Sequence, residues 1–163
     1  MRLTACAVGL SMLAIALGAW PGAAAERIVL FDFELVNTSL EPVRPDEEAR
    51  LAMVSRLLRD AFAERAGFEV LDQAALAEEV GRIGYLRGCN GCELKLAARI
   101  DADLAGLGWV QKVSNLILNI NLQVREVTTG RLVYAGTVDI RGNTDESWQR
   151  GVRYLLQRRI FRD

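Results

Sequence analysis

The most legible pattern in the chain is a strict alternation over residues 116–125. Leu116, Leu118, Ile120, Leu122 and Val124 alternate there with Ile117, Asn119, Asn121, Gln123 and Arg125. A period of two sends the first set to one face of a strand and the second to the other. One face is apolar and the other mostly polar, as in an antiparallel strand with one side on a core. Thr128-Thr129-Gly130 supplies a hairpin turn into a further strand over Leu132 to Ile140.

Upstream the pattern changes. Arg27 to Leu35 contains Ile28-Val29-Leu30-Phe31, a nearly continuous β-rich run expected of a strand covered on both faces. Turn formers and prolines from Asn37 to Pro45 predict a loop. Asp46, Glu47 and Glu48 then open a helix at its positive dipole end, with Leu51, Val54, Leu57, Leu58 and Phe62 as the apolar stripe and Gly67 as the stop. Phe68 to Leu71 is a second strand, and Asp72 caps a second helix carrying Leu76, Val80 and Ile83. A turn-rich stretch, Gly84 to Gly91, leads into a short helix from Glu93 to Ile100. A strand then starts near Asp103 and runs through Trp109 to Val113, turned back by Ser114-Asn115. Asn143, three residues before Glu146, has the spacing of a capping box for a last helix, whose buried stripe is Trp148, Val152, Leu155, Leu156 and Ile160.

The predicted order is β-α-β-α-(α)-β-β-β-α. It specifies a single α/β domain of two or three layers, with a mixed β-sheet packed by helices. Arg27–Leu35 is expected to pair in parallel with Phe68–Leu71 through the crossover helix, and the long hairpin to extend the sheet antiparallel.

Composition narrows the function. At 51% hydrophobic and 25% charged residues, the chain is too apolar for disorder. Histidine is absent, which excludes His-dependent triads, His metal sites and imidazole switching. Three cysteines cannot form a four-cysteine zinc site, and neither a metal nor a cofactor is expected. A formal charge of −1 argues against nucleic acid as a partner. Residues 1–25 read as a cleaved signal peptide: Arg2, an uncharged and mostly apolar run from Leu3 to Leu17, then Ala23-Ala24-Ala25 before a mature start at Glu26. The expected product is one periplasmic or secreted domain, residues 26–163. Cys6, which begins the apolar run rather than following it, leaves with the leader.

Several segments together carry a family likeness. Phe31-Asp32-Phe33 closes a strand, and a long helix leads to Gly67-Phe68-Glu69-Val70-Leu71-Asp72. A Cys-x-x-Cys follows, then Ala97-Ala98-Arg99-Ile100-Asp101-Ala102-Asp103, a Gly-containing strand from Gly106 to Val110, and Thr128-Thr129-Gly130-Arg131. Over nearly all of 27–160 this order resembles the secreted domains related to the TolB amino-terminal domain, the curli-secretion protein CsgG and the lipoprotein LpoB. Within that group it is most similar to small secreted bacterial proteins of unknown function. The resemblance implies a mixed sheet packed by helices and a periplasmic docking role. It brings no catalytic residue with it.

Few residues offer chemistry. Cys89-Asn90-Gly91-Cys92, at a helix start in an exported chain, reads as a short structural disulfide or as a redox dithiol. Asp32 and Glu34, two apart on a strand, share a face as paired carboxylates or as a polar strand end. Gly106-x-Gly108 is too sparse for a phosphate loop and marks a bulge or close packing. The last helix carries Arg150, Arg153, Arg158, Arg159 and Arg162, a basic face for an acidic partner or anionic lipid surface, or simply a solvated one. Asn119, Asn121, Gln123 and Arg125, with Thr137, Asp139 and Arg141 on the neighbouring strand, form a polar sheet face, wet or docked. With no convergent nucleophile and base, the leading expectation is a non-enzymatic periplasmic accessory protein that docks on another envelope or secreted protein. The alternative is a thiol-redox or small-ligand binding protein that uses the Cys89/Cys92 region. Thiol labelling of the purified native protein should find neither Cys89 nor Cys92 reactive, and replacing both by serine should cost about 2 kcal/mol of stability at most, because the closed loop is so short.

Overall fold

The computed structural model describes residues 24–161, so the expected leader, Cys6 and Arg162 lie outside the described residues, apart from Ala24 and Ala25. The chain begins with two short strands, β1 (Glu26–Leu30) and β2 (Glu34–Asn37). Sequence pattern alone predicts one strand from Arg27 to Leu35. The break arises at Phe33, whose backbone N–H donates to the Ser55 hydroxyl at 2.9 Å instead of joining the ladder. Its ring then lies over Gly108, where a Cβ would meet ring carbons at 2.6 Å. Gly108 therefore marks close packing, and so does Gly106 beneath the Leu30 side chain.

Helix α1 (Pro45–Ala63) follows, starting one residue earlier than its acidic turn suggests, with proline at its first position. Strand β3 (Phe68–Leu71) comes next, then a 3₁₀ turn (Gln73–Leu76) whose start is capped by Asp72, helix α2 (Ala77–Ile83), a second 3₁₀ turn (Leu86–Gly88) and helix α3 (Cys92–Ala98). Three long strands, β4 (Leu104–Ser114), β5 (Ile117–Glu126) and β6 (Leu132–Arg141), precede helix α4 (Asp145–Leu155) and a π-helical turn (Leu156–Ile160).

The sheet has six strands in the order β3-β1-β4-β5-β6, with β2 beside β4 beyond the end of β1. β1 pairs in parallel with β3 and β4, β2 in parallel with β4, and β4-β5-β6 form an antiparallel meander. This is the predicted mixed α/β sheet packed by helices. The alternation in β5 holds: Leu118, Ile120, Leu122 and Val124 are fully buried. They face α1 and α4, where Val54, Leu58, Phe62, Trp148, Val152 and Leu155 complete the main core. The opposite face is covered at one end only, where Val29, Phe31, Ala105 and Leu107 pack against Leu76, Leu86 and Leu96 of the short helical segments. The molecule is thus three layers thick over β3-β1 and two layers thick over β5-β6.

A buried polar cluster joins the long helices to the sheet. Lys112 lies on the core face of β4, fully buried, with its Nζ 2.7 Å from the equally buried Glu47 carboxylate of α1. Asn143 occupies the centre. Its amide nitrogen donates to Glu47 at 2.6 Å and to the Asn115 side chain at 3.1 Å. Its oxygen accepts from Trp148 Nε1 at 2.9 Å and from Arg50 at 3.2 Å. Asn143 is therefore not the cap that its spacing from Glu146 suggests. Thr144 caps α4 by accepting from the Ser147 backbone N–H, and Glu146 pairs instead with Arg150. Glu47 also closes the start of α1 by accepting the Arg44 N–H at 2.9 Å.

Burial pushes the Glu47 carboxyl upward. The Lys112 ammonium 2.7 Å away and the hydrogen bonds from Arg44 and Asn143 together outweigh it and hold the group below its ordinary value. A depressed folded-state value makes the Glu47 contribution complete above the ordinary carboxylate range and lost as pH falls through the depressed value. Lys112→Met, which leaves the Glu47 carboxylate buried without its cation, should cost about 3–5 kcal/mol in chemical denaturation. The double variant Lys112→Met/Glu47→Leu should recover part of that loss and show a weaker fall in stability on acidification than the native chain.

Candidate functional site

The uncovered half of the sheet carries the candidate surface. Register places Asn119 opposite Asp139, Asn121 opposite Thr137 and Ile117 opposite Arg141, so the polar positions predicted from sequence do share one face. On the other side of β5, Trp109 lies opposite Asn121 and Gln111 opposite Asn119. The Asn119 amide donates to the Asp139 carboxylate, and the Asn121 amide to the Asn119 carbonyl at 3.3 Å. These bonds run along the sheet and tie the polar residues to one another, leaving the face open. At the β4-β5 end, Val113 and Ile117 give this face an exposed apolar edge, and Leu116, expected from the alternation on the core face, lies instead in the turn before β5 and is 72% exposed.

At the opposite end, the open face meets the short helical segments in a cleft. Leu86, Arg87, Asn90, Gly91 and Glu93 form one wall, and Leu107, Trp109, Gln123 and Arg125 the other. The Arg87 guanidinium stacks over the Trp109 ring, 4.7 Å from its centre. Neither residue stands out in the sequence. Trp109 is legible there only as part of a strand, and Arg87 as one of many arginines in a turn. The Cys-x-x-Cys turn and the polar strand positions, separate signals in the sequence, meet here.

Local backbone chemistry explains the turn. Asn90 and Gly91 both have positive φ, 43° and 96°, so a glycine is required at the second position. The turn brings Cys89 and Cys92 into disulfide contact with their Cα atoms 5.5 Å apart, and both residues are half-buried. Glu34 holds the segment on the sheet. Its carboxylate accepts the backbone N–H groups of Leu86 at 2.6 Å and Arg87 at 3.2 Å, and the Tyr85 hydroxyl donates to the Leu35 carbonyl. Burial raises the Glu34 carboxyl above its ordinary value despite those two bonds.

Asp32 and Glu34 do not act as a same-face strand pair, because Asp32 lies outside either strand and Phe33, between them, turns its N–H to Ser55. Asp32 pairs with Arg59 at 2.7 Å while Glu34 caps the 3₁₀ turn. Both border a second cleft with Asp72 and Arg59. Among the described residues no cluster of three or more acidic or cysteine side chains is placed to hold a metal. Arg150, Arg153, Arg158 and Arg159 are all exposed on α4 and its π turn, and Arg150 and Arg159 line a groove against β6. No helix among the described residues is long and apolar enough to cross a membrane.

The model of the family DUF3280, described as "Protein of unknown function (DUF2380)", matches residues 26–160. No curated protein matches the chain in sequence. Among solved structures, it is similar to the LpoB C-terminal domain from Salmonella enterica, at 16% identity and a TM-score of 0.53 over 77% of this chain and 89% of that one. Lipoprotein GNA1162 from Neisseria meningitidis aligns at 15% identity and a TM-score of 0.51 over 73% of this chain and 82% of its own. The hypothetical protein CT253 from Chlamydia trachomatis aligns at 11% identity and a TM-score of 0.50 over 82% and 94%. At such identities the likeness is one of fold. It supports the LpoB-like part of the resemblance read from sequence and not the CsgG part. Within the cleft, Glu34→Ala should speed hydrogen exchange at the Leu86 and Arg87 amides and lower stability by about 1–3 kcal/mol, the cost of stranding partly buried N–H groups.

Proposed function

The chain belongs to the DUF3280 family, and we propose that it is an exported, non-enzymatic accessory domain that docks on another envelope protein. The docking surface is the open face of β4-β5-β6, from Val113 and Ile117 at one end to the Arg87–Trp109 stack and Arg125 at the other. The carrying observation is that stack, a half-buried tryptophan and an exposed arginine beside a sheet face that no helix among the described residues covers. Trp and Arg are the side chains that most often anchor protein interfaces, and the ladder of Asn and Gln amides around them offers donors and acceptors at little desolvation cost.

The carboxylates that suggest chemistry in the sequence serve the fold instead: Asp32 neutralises Arg59, and Glu34 caps a turn. The thiol-redox alternative draws on the same cleft, because Asn90 and Gly91 of the cysteine turn line it. A reduction potential below about −300 mV is that of a structural bridge, and a value near those of dithiol catalysts would favour the alternative.

Photo-crosslinking groups placed at Asn121 and Gln123 should yield one discrete protein adduct in cells, and the same group at the exposed Arg56 of α1 should yield none. Trp109→Ala should weaken binding of the captured partner about tenfold or more, as for an interface anchor. Adducts from Arg56 in place of the open face would refute the assignment.

A further inference from the structure

The sheet ends in an edge of unusual length. β6 spans Leu132–Arg141 and is the last strand in the order, whereas the opposite edge strand, β3, spans only Phe68–Leu71. The Gly142 N–H donates to the Leu116 carbonyl at 3.1 Å. Antiparallel pairing alternates bonded and non-bonded pairs, so Ile140, Val138 and Gly136 turn their backbone groups toward β5. Ala135, Thr137, Asp139 and Arg141 then turn theirs outward, the Arg141 carbonyl already accepting the Ser147 hydroxyl at 3.1 Å. Natural edges are usually protected by proline, lysine or a bulge. Residues 134–141 contain no proline and no lysine, and the only irregularity with β5 lies just before them, at Val133, where Tyr134 pairs with Val124 and Leu132 with Arg125.

A groove of roughly 570 Å³ runs beside this edge, between residues 137–141 and α4. On the α4 side it presents Arg150, Tyr154 and Arg159. Arg150 and Tyr154 are one helical turn apart. Arg159 follows after five residues, across the π turn, where the Phe161 N–H bonds back to the Leu156 carbonyl at 2.8 Å. Arg150 shares an exposed, weakly binding pair with Glu146 at 3.0 Å. Among the described residues Arg159 is paired with no carboxylate. Asp139 borders the groove through its backbone, and its carboxylate is engaged by Asn119 on the opposite face.

We propose that the outer edge of β6 takes up an extended, acidic segment of a partner protein as a seventh strand. The outward N–H and C=O groups supply the ladder, and alternate side chains of the added strand drop toward Arg150, Tyr154 and Arg159. Acidic residues in that row gain charge-assisted hydrogen bonds, and Tyr154, 49% exposed, offers an apolar wall. A second copy of this chain fits poorly. Pairing β6 with itself about a two-fold axis would bring two arginine rows to one seam. The surface is distinct from the open face, so it stands or falls separately from the proposed docking function.

The test uses a blocked peptide alternating valine and glutamate over roughly ten residues, the length that fits a strand of this size, with its valine–lysine counterpart as control. Calorimetric titration of the purified protein should show saturable binding of the glutamate peptide only, weakened by salt. Amide shifts should centre on Ala135, Thr137 and Asp139. Thr137→Pro removes one outward N–H without breaking the ladder to β5 and should weaken binding about tenfold or more, whereas Thr137→Ala, which keeps that N–H, should not. Arg150→Glu/Arg159→Glu should abolish binding of the glutamate peptide or transfer preference to the lysine peptide. Circular dichroism confirms that each variant is folded. Absence of binding, equal binding of both peptides, undiminished binding by folded Thr137→Pro, shifts centred on Trp109 and Gln123, or dimerisation through β6 would each overturn the proposal.

Discussion

A buried ion pair organises this fold. Lys112 and Glu47 meet inside the core with no exposure of either side chain, joining the centre of the sheet to the first turn of α1. Burying two charges is costly unless the pair is close and further hydrogen bonds support it. That requirement explains the residues around them. Asn143 serves Glu47 with one end of its amide and Trp148 and Arg50 with the other, so the segment before α4 must lie against α1. Arg50 continues the chain outward to Asp46 and Asp145. Two helices far apart in sequence are thereby held in one register over the same sheet face. Apolar packing alone, being non-directional, would leave that register less defined.

With both long helices committed to one face, the other face has, among the described residues, only the short segments between β3 and β4 to cover it. These are two 3₁₀ turns and two helices of seven residues, with little intrinsic stability of their own. They hold by anchoring: Glu34 and Tyr85 fix the second turn to β2, and the Cys89–Cys92 bridge closes the turn before α3. Their reach ends at Leu107. Beyond it the sheet stays open, and the boundary itself becomes the cleft in which Arg87 stacks on Trp109. The open face and the long edge at β6 follow from the same shortage of helical cover.

The period-two pattern was legible from Leu118 to Val124, though not at Leu116, and so were the apolar stripes of α1 and α4, because each reports a single buried face; Trp148, Val152, Leu155, Leu156 and Ile160 are all buried. The broken first strand was not legible, since Phe33 leaves the ladder for a partner, Ser55, that sequence proximity does not reveal. Nor was the role of Asn143. Its spacing to Glu146 fits a capping box, yet Thr144 takes the capping position and Asn143 turns inward. Lys112 did leave a trace, a lysine among arginines at a core-facing strand position, but a single charge there says nothing of its partner.

The sequence by itself determined the order of the main elements, apart from the break in the first strand, and which of their faces are apolar, because these depend on periodicity and on neighbours a few residues away. It also placed Asn119, Asn121, Gln123 and Arg125 on one side of one strand. Only the tertiary structure decided that the cysteine turn lies beside that strand and that Arg87 covers Trp109. It alone decided that Lys112 finds Glu47 across the core. These are meetings between side chains far apart in the chain. Their energies depend on distance, burial and the satisfaction of every polar group, quantities that exist only once the sheet and its helices are assembled.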